Sequence, residues 1–178
     1  MTSFKAPWFL IGGWAVDAWL GRQSRDHGDV DIGYFRDSER AVFRHLAGWH
    51  MAAHDSPDAD HDDPWDGHVL DFPAHIHARK PDWPELDLNA NEREGDQWII
   101  NREPRMAVRI GDAVRESGWG LPTLTPEVVL WHKGRADIRE RDHHDFAALL
   151  PLLDGRQRAW LADALPAISP VHPWLSEV

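Results

Sequence analysis

Residues 25–35 read RDHGDVDIGYF, and the interpretation of Asp29 and Asp31 within this stretch decides the fold. The run from Val30 to Phe35 has the alternation and aromatic content of a strand. In a strand, residues i and i+2 share a face, with Cα atoms about 6.5–7 Å apart. Asp29 and Asp31 therefore project together while Val30 and Ile32 face a core. Two like charges held so close repel unless a cation sits between them. A hard divalent cation such as Mg²⁺, bound by one or two carboxylates and by substrate phosphates, suits that arrangement. A solvated strand end, with one aspartate paired to Arg25 or another arginine, is the simpler alternative.

The upstream sequence favours the cation. Trp8–Ile11 reads as a short buried strand and WAVDAWLGR as a helix, with i,i+4 pairs Trp14/Ala18 and Val16/Leu20 and Gly21 at its end. Gly12 and Gly13 fall between them, where backbone N–H groups at a helix start can receive phosphate oxygens. A third carboxylate would complete the site. Asp87, in Leu86-Asp87-Leu88, and Asp71, in Leu70-Asp71-Phe72, both lie between apolar residues.

Other elements follow from similar cues. Ser38 suits the cap of a helix over 39–49, and the Asp/His/Pro-rich stretch 54–68 reads as a loop. Short strands are expected at 69–72, 75–79, 85–91, 97–101 and 106–110. Thr125-Pro126-Glu127 opens a helix reaching about residue 136. Asp142-x-x-Asp145 resembles a capping arrangement for a second helix, and Asp154 caps a third over RQRAWLADAL. The Pro-rich tail 166–178 is expected to lie against the body. The domain reading is a strand-rich body over 1–122 and a helical portion over 123–178, packed as one compact unit.

Composition narrows the chemistry. The 178 residues carry a formal charge of −11, so generic binding to nucleic acid is disfavoured and a cationic small molecule suits better. Without cysteine there is neither disulfide nor thiolate chemistry. No signal-peptide pattern or spanning segment is evident, so no membrane partner and a cytoplasmic location are expected. Twelve histidines invite a transition-metal reading, yet the 54–68 loop and the pairs His75/His77 and His143/His144 lack a ligand spacing such as H-E-x-x-H. Neither a P-loop nor a G-x-G-x-x-G fingerprint is present.

Gly12-Gly13-Trp14-Ala15-Val16-Asp17, Leu20-Gly21-Arg22 and Arg25-x-His27-x-Asp29-Val30-Asp31 together resemble the opening of the aminoglycoside and lincosamide nucleotidyltransferases, within the DNA polymerase β-like superfamily. Thr125-Pro126-Glu127-Val128-Val129-Leu130, Lys133, Asp142-x-x-Asp145-Phe146 and His172-Pro173-Trp174-Leu175 are similar to later segments of that family. The resemblance implies an α+β fold, a small mixed β-sheet flanked by helices with a C-terminal helical portion. It implies transfer of a nucleoside monophosphate, expected to be AMP from ATP, to a hydroxyl of a small acceptor with release of pyrophosphate. The acceptor would be an aminoglycoside or lincosamide, making the chain an antibiotic-resistance enzyme. Asp29 and Asp31 would ligate Mg²⁺, in a two-metal site. Asp87 would hold a metal or take the acceptor hydroxyl's proton.

Supporting residues are read beside their plainer roles. The only lysines are Lys5, Lys80 and Lys133, so an ammonium at 133 in an arginine-rich chain marks a phosphate contact or a helix-end charge. Arg25 contacts phosphate or pairs with Asp17 or a site carboxylate, and His27 orients a ligand or shapes a turn. Trp14, Trp19, Trp131 and Trp160 are expected in the core, and Trp65 and Trp83 as acceptor walls. Two rivals remain: a nucleotidyltransferase-like binding or regulatory module without turnover, and a His/Asp metal hydrolase built on 54–68. Oligomerisation is compatible with the nucleotidyltransferase reading, a related subunit then completing the acceptor pocket.

Overall fold

The computed structural model describes residues 1, 3–54, 64–71, 74–100, 107–135 and 137–178. In chain order the elements are β1 (Trp8–Leu10), α1 (Gly12–Leu20), β2 (Asp29–Phe35), α2 (Glu39–His45), β3 (His50–His54), β4 (His75–Arg79), β5 (Glu85–Glu94), β6 (Gln97–Ile99) and β7 (Ala107–Arg109). The second half holds α3 (Ile110–Ala113), β8 (Val114–Glu116), β9 (Pro122–Leu124), α4 (Pro126–Lys133), α5 (Glu140–Leu149) and α6 (Gly155–Ala164). Residues 1–10 with 26–110 form one compact unit, and residues 11–25 with 111–178 another. This division is discontinuous, unlike the single cut after residue 122 read from the sequence, because α1 packs with α4 and α5.

In the first unit the strands run in the order β3-β4-β5-β2-β1. β2 and β5 are parallel, whereas β1–β2, β3–β4 and β4–β5 are antiparallel. The far end of β5 pairs with β6, and β6 with β7. One face of this sheet buries Ile32, Tyr34, Ile76, Ala78, Leu86 and Leu88 against Val42, Leu46, Trp65 and Leu70. Val30 packs at the margin of that core. The alternation therefore works as expected: apolar residues of β2 and β5 point inward and the aspartates take the opposite face.

Gly33 has a separate reason to be glycine. It pairs directly with Phe9 across β1–β2, and a Cβ there would lie 2.2 Å from Phe9 Cε2. Phe9, 1% exposed, in turn packs on Phe35 and Trp98 with ring centroids 5.7 and 5.5 Å away.

In the second unit, α1, α4, α5 and α6 pack around Val16, Leu130, Trp131, Phe146, Leu149 and Leu161, beside the β8–β9 hairpin. Asp154 caps α6 through a reciprocal pair, its carboxylate accepting from Gln157 N while Gln157 Oε1 accepts from Asp154 N. The tail packs against this unit, with the Trp174 ring stacked on Phe146 at 4.3 Å. His172 Nδ1 accepts from Trp174 N–H, so its Nε2–H donates to Gly134 O at 2.6 Å.

Several expectations need correction. Residues 69–71 are not a strand: Leu70 is buried, but its N–H donates to Glu39 and its carbonyl accepts from Arg36. Side chains thus satisfy a backbone that a ladder would otherwise serve. The α2 helix ends at His45 rather than near 49, and β3 begins at His50. Ser38 occupies the N-cap position but turns back to donate to Phe35 O. Helix α5 starts at Glu140, with Asp142 reaching back to the Arg139 N–H at 3.1 Å. Residues 55–63 of the Asp/His-rich loop, together with Phe72, Asn101, Met106 and Ala136 at ends of expected elements, lie outside the described residues.

Candidate active site

Parallel pairing of β2 and β5 sets Asp29 beside Glu85 and Asp31 beside Asp87. All four side chains occupy the face opposite the Ile32–Leu88 core. Asp29, Asp31 and Asp87 each bring a carboxylate oxygen within 4.8 Å of the others. Among the described residues this is the group of three or more acidic, histidine or cysteine side chains with metal-binding spacing. Asp71, the other sequence candidate, is not part of it.

The donor set fits a hard divalent cation. It is all oxygen and carries three formal negative charges. Asp87 Oδ1 is buried and receives no hydrogen bond, an arrangement costly without a cation nearby. Asp29 is exposed and Asp31 half-buried, so the face is open on one side to a ligand.

The β4 strand borders this cluster. His77 pairs with Asp87 in the β4–β5 ladder, and His75 and Arg79 share its face. His75 Nδ1 lies 3.4 Å from Asp87 Oδ1, and His77 Nε2 lies 4.0 Å from the same oxygen. His77 Nδ1 is 3.0 Å from Glu85 Oε1, and Arg79 donates to both Glu85 oxygens at 2.9 and 3.1 Å. Those arginine hydrogen bonds hold Glu85 below the usual carboxylate range, against the effect of partial burial.

The other expected residues lie in the second unit. Gly12, with φ 64°, opens α1, and Gly13 is buried in its first turn. A left-handed φ at that position is readily available only to glycine. Lys133, in the last turn of α4, places Nζ 2.7 Å from Asp145 Oδ2 and 3.6 Å from Asp142 Oδ1. Arg25 reaches the same Asp145 carboxylate through Nη2 at 3.2 Å and Nε at 3.4 Å. Asp17 is fully buried and accepts from the Ser24 N–H at 2.9 Å and from its hydroxyl.

Asp145 is the residue that sequence reasoning undervalued. Read as a capping acid, it is instead fully buried and shared by two cations. Burial opposes its ionisation, but hydrogen bonds from Arg25 and Lys133 prevail and hold it below the usual carboxylate range. Asp142 is also held low, against burial, by Arg139 and Lys133. The available signal was the i,i+3 spacing of two acids on a helix following a lysine-bearing one. Trp65 corrects the other way: it is 4% exposed, packs edge-on to Phe43 and donates to His68 O, so it is a core residue rather than an acceptor wall. Trp83 is exposed, 6.0 Å from Trp49, with the Lys80 ammonium near both rings.

Comparison with known proteins agrees with this geometry. A family model described as aminoglycoside-2''-adenylyltransferase matches residues 1–59, which include Gly12-Gly13 and the two aspartates of β2. A lincosamide resistance protein from Staphylococcus haemolyticus is 25% identical over 157 residues, covering 82% of this chain and 84% of that protein. The lincomycin-bound structure of the lincosamide antibiotic adenylyltransferase LnuA matches with a TM-score of 0.59 at 21% identity, covering 83% of this chain and 87% of that one. ANT(2")-Ia in complex with adenylyl-2"-tobramycin matches with a TM-score of 0.56 at 18% identity, over 90% of this chain and 87% of that one. These structures share the mixed sheet and flanking helices. No helix among the described residues is long and apolar enough to cross a membrane. By fold and over its N-terminal third by sequence, the chain is similar to the aminoglycoside and lincosamide nucleotidyltransferases.

Proposed function

We propose that this enzyme transfers the nucleoside monophosphate of a nucleoside triphosphate, ATP by preference, to a hydroxyl of an aminoglycoside or lincosamide, releasing pyrophosphate. The observation that carries the proposal is the convergence of Asp29, Asp31 and Asp87 from two adjacent parallel strands. Asp29 and Asp31, on a rigid strand, would hold Mg²⁺, with Asp87 completing the oxygen set. When bound there, such a cation would supply charge neutralisation for the triphosphate and for the attacking and leaving oxygens.

The protein's own contribution is positioning and charge. Asp87 accepts the acceptor hydroxyl's proton as its oxygen forms the new ester bond to the α-phosphorus; the bond to the bridging oxygen breaks and pyrophosphate departs. The Gly12 and Gly13 amides supply donors for phosphate oxygens at the start of α1. Arg25 and Lys133 supply positive charge for the triphosphate, with Asp145 fixing their heads. The formal net charge of −11 suits a cationic acceptor. A cytoplasmic setting, where nucleoside triphosphates are available, fits this reaction.

Incubating the protein with Mg²⁺, each nucleoside triphosphate and a panel of both antibiotic classes, with mass detection of nucleoside-monophosphate adducts, tests the proposal. Adducts are expected with ATP, and Asp31→Asn should abolish them while preserving the circular dichroism spectrum. Unchanged turnover in that variant would sink the assignment. Triphosphate binding without product on the whole panel would favour a regulatory module.

A further inference from the structure

The tail motif His172-Pro173-Trp174-Leu175 has no part in the proposed reaction, yet two of its side chains are almost fully buried: His172 is 4% exposed and Trp174 1%. Both close on α4 and α5, the helices that bear Lys133 and Asp145. His172 Nε2–H donates to the carbonyl of Gly134, the residue after Lys133, at 2.6 Å. Trp174 engages α5 twice. Its ring stacks on Phe146, the neighbour of Asp145, at 4.3 Å, and its indole N–H donates to His143 Nδ1 at 3.1 Å. A hydrogen bond from the Trp174 backbone N–H to His172 Nδ1 joins these contacts. The tail therefore bridges the end of α4 to α5 at the residues adjoining the Lys133–Asp145 ion pair.

Lys133 sits where such a bridge matters. It is the last residue of α4, and the final carbonyls of a helix lack intrahelical partners, so its last turn frays unless something holds it. The His172 hydrogen bond fixes the carbonyl just beyond Lys133. A lysine carries its charge on a flexible four-carbon stem with about 2 kcal/mol of rotamer entropy, so the ammonium is placed only as well as its surroundings are. Here the partner is Asp145, 2.7 Å away, with side-chain exposures of 10% for the lysine and 0% for the aspartate. Gly134 is the tightest point of the arrangement. A Cβ there would lie 3.0 Å from His172 Nε2 and 3.1 Å from Trp174 Cζ3. Its φ of −77° suits any residue, so the closeness of the tail, not the backbone, requires a glycine.

We propose that His172 and Trp174 are positioning residues: they staple α4 to α5 and so hold the Lys133 ammonium against Asp145, in place for the triphosphate. That the held ammonium serves the triphosphate rests on the proposed reaction; the staple itself does not. Without the tail contacts the lysine head samples other rotamers, and triphosphate binding weakens while acceptor binding is untouched.

Lysine labelling reads the staple directly, because Lys5, Lys80 and Lys133 are the only lysines and the first two are exposed. Brief acetylation of the folded full chain, followed by peptide mass spectrometry, should find Lys133 protected in the wild type. His172→Ala and Gly134→Ala should speed its labelling about 2–10-fold while Lys5 and Lys80 keep their rates. His172→Gln, which retains a donor for Gly134 O, should stay near wild type. Asp154→Ala, a loss of stability elsewhere in the same unit, should leave Lys133 slow. In steady-state kinetics, Lys133→Ala should raise the triphosphate KM about 10–100-fold. His172→Ala should raise it about 2–10-fold, leave the acceptor KM unchanged, and add nothing further in the Lys133→Ala background. Unchanged Lys133 labelling in both tail-loosening variants, or a KM effect of His172→Ala that persists without Lys133, overturns the proposal. Faster labelling with a triphosphate KM that neither His172→Ala nor Lys133→Ala moves upholds the staple and refutes the triphosphate role of Lys133.

Discussion

Replacing Gly33 with alanine puts a methyl carbon where the Phe9 ring already is. The new Cβ would lie 2.2, 2.6 and 2.8 Å from three ring carbons, against an ordinary contact of 3.4–4 Å. The ring would have to retreat by more than an ångström, and it is 1% exposed between Phe35 and Trp98. Overpacking of this kind costs about 1–3 kcal/mol, and close-packed aromatic neighbours favour the upper end. At 1.4 kcal/mol per tenfold, about 3 kcal/mol raises the unfolded fraction roughly a hundredfold. Urea titration followed by circular dichroism measures this, and amide exchange in β1 and β2 localises it. Gly28→Ala, where an added Cβ meets nothing within 4 Å, is the matched control and should stay within about 0.5 kcal/mol of wild type. Phe9→Leu in the Gly33→Ala background should recover part of the loss. A stability for Gly33→Ala indistinguishable from that of Gly28→Ala would refute the packing argument. Because Asp31 lies two residues earlier on the same face, divalent-ion affinity should fall alongside stability.

Asp145→Asn leaves Arg25 and Lys133 without their shared carboxylate and should cost about 3–5 kcal/mol at neutral pH, read by denaturant titration. The folded-state pKa of Asp145 is depressed, so its contribution is present above the unfolded value of about 3.9 and is lost as pH falls through the lower folded value; the variant should lack that acid-side loss. Burial, with Arg135 adding to it, pulls His132 down to about 3, so the unfolded chain binds a proton that the folded chain refuses between about 6.5 and 3. Stability should therefore decline as pH falls through that window, by up to about 1.4 kcal/mol per pH unit, and His132→Gln should flatten the slope in thermal melts from pH 7 to 4. Asp154→Ala removes the reciprocal cap of α6 and should lower stability by about 1 kcal/mol, with Asp154→Ser restoring most of it.

The parts legible in the sequence are those fixed by local chemistry. The β2 alternation placed Val30 and Ile32 on the core side and both aspartates on the other. Thr125-Pro126-Glu127 marked the start of α4, although the Thr125 hydroxyl makes no capping bond, and Asp154 with Gln157 marked α6. The β3 strand, HMAAH, went unread because alanine and histidine carry little strand signal and its support comes from β4, some twenty residues later. The choice between Asp71 and Asp87 could not be made locally, since both sit between apolar residues. It depends on the β2–β5 register, a long-range property. Asp145 was hidden for the same reason: a buried acid is recognisable only once its cations have been brought to it from Arg25 and from the end of α4.

The parallel register of β2 and β5 has a consequence for how chains of this kind can vary. A one-residue insertion or deletion within either strand would turn Asp31 or Asp87 into the core and bring an apolar residue out in its place. The connections within the excursion that joins them, residues 36–84, are under no such arithmetic, although β3 and β4 inside it keep registers of their own. Change in length is therefore confined to the connection, while the two strands admit substitution but not slippage. The segment free to lengthen or shorten is also the one that carries β4 and its histidines up to Asp87. New neighbours for the carboxylates can be tried there without disturbing the count that brings the carboxylates together.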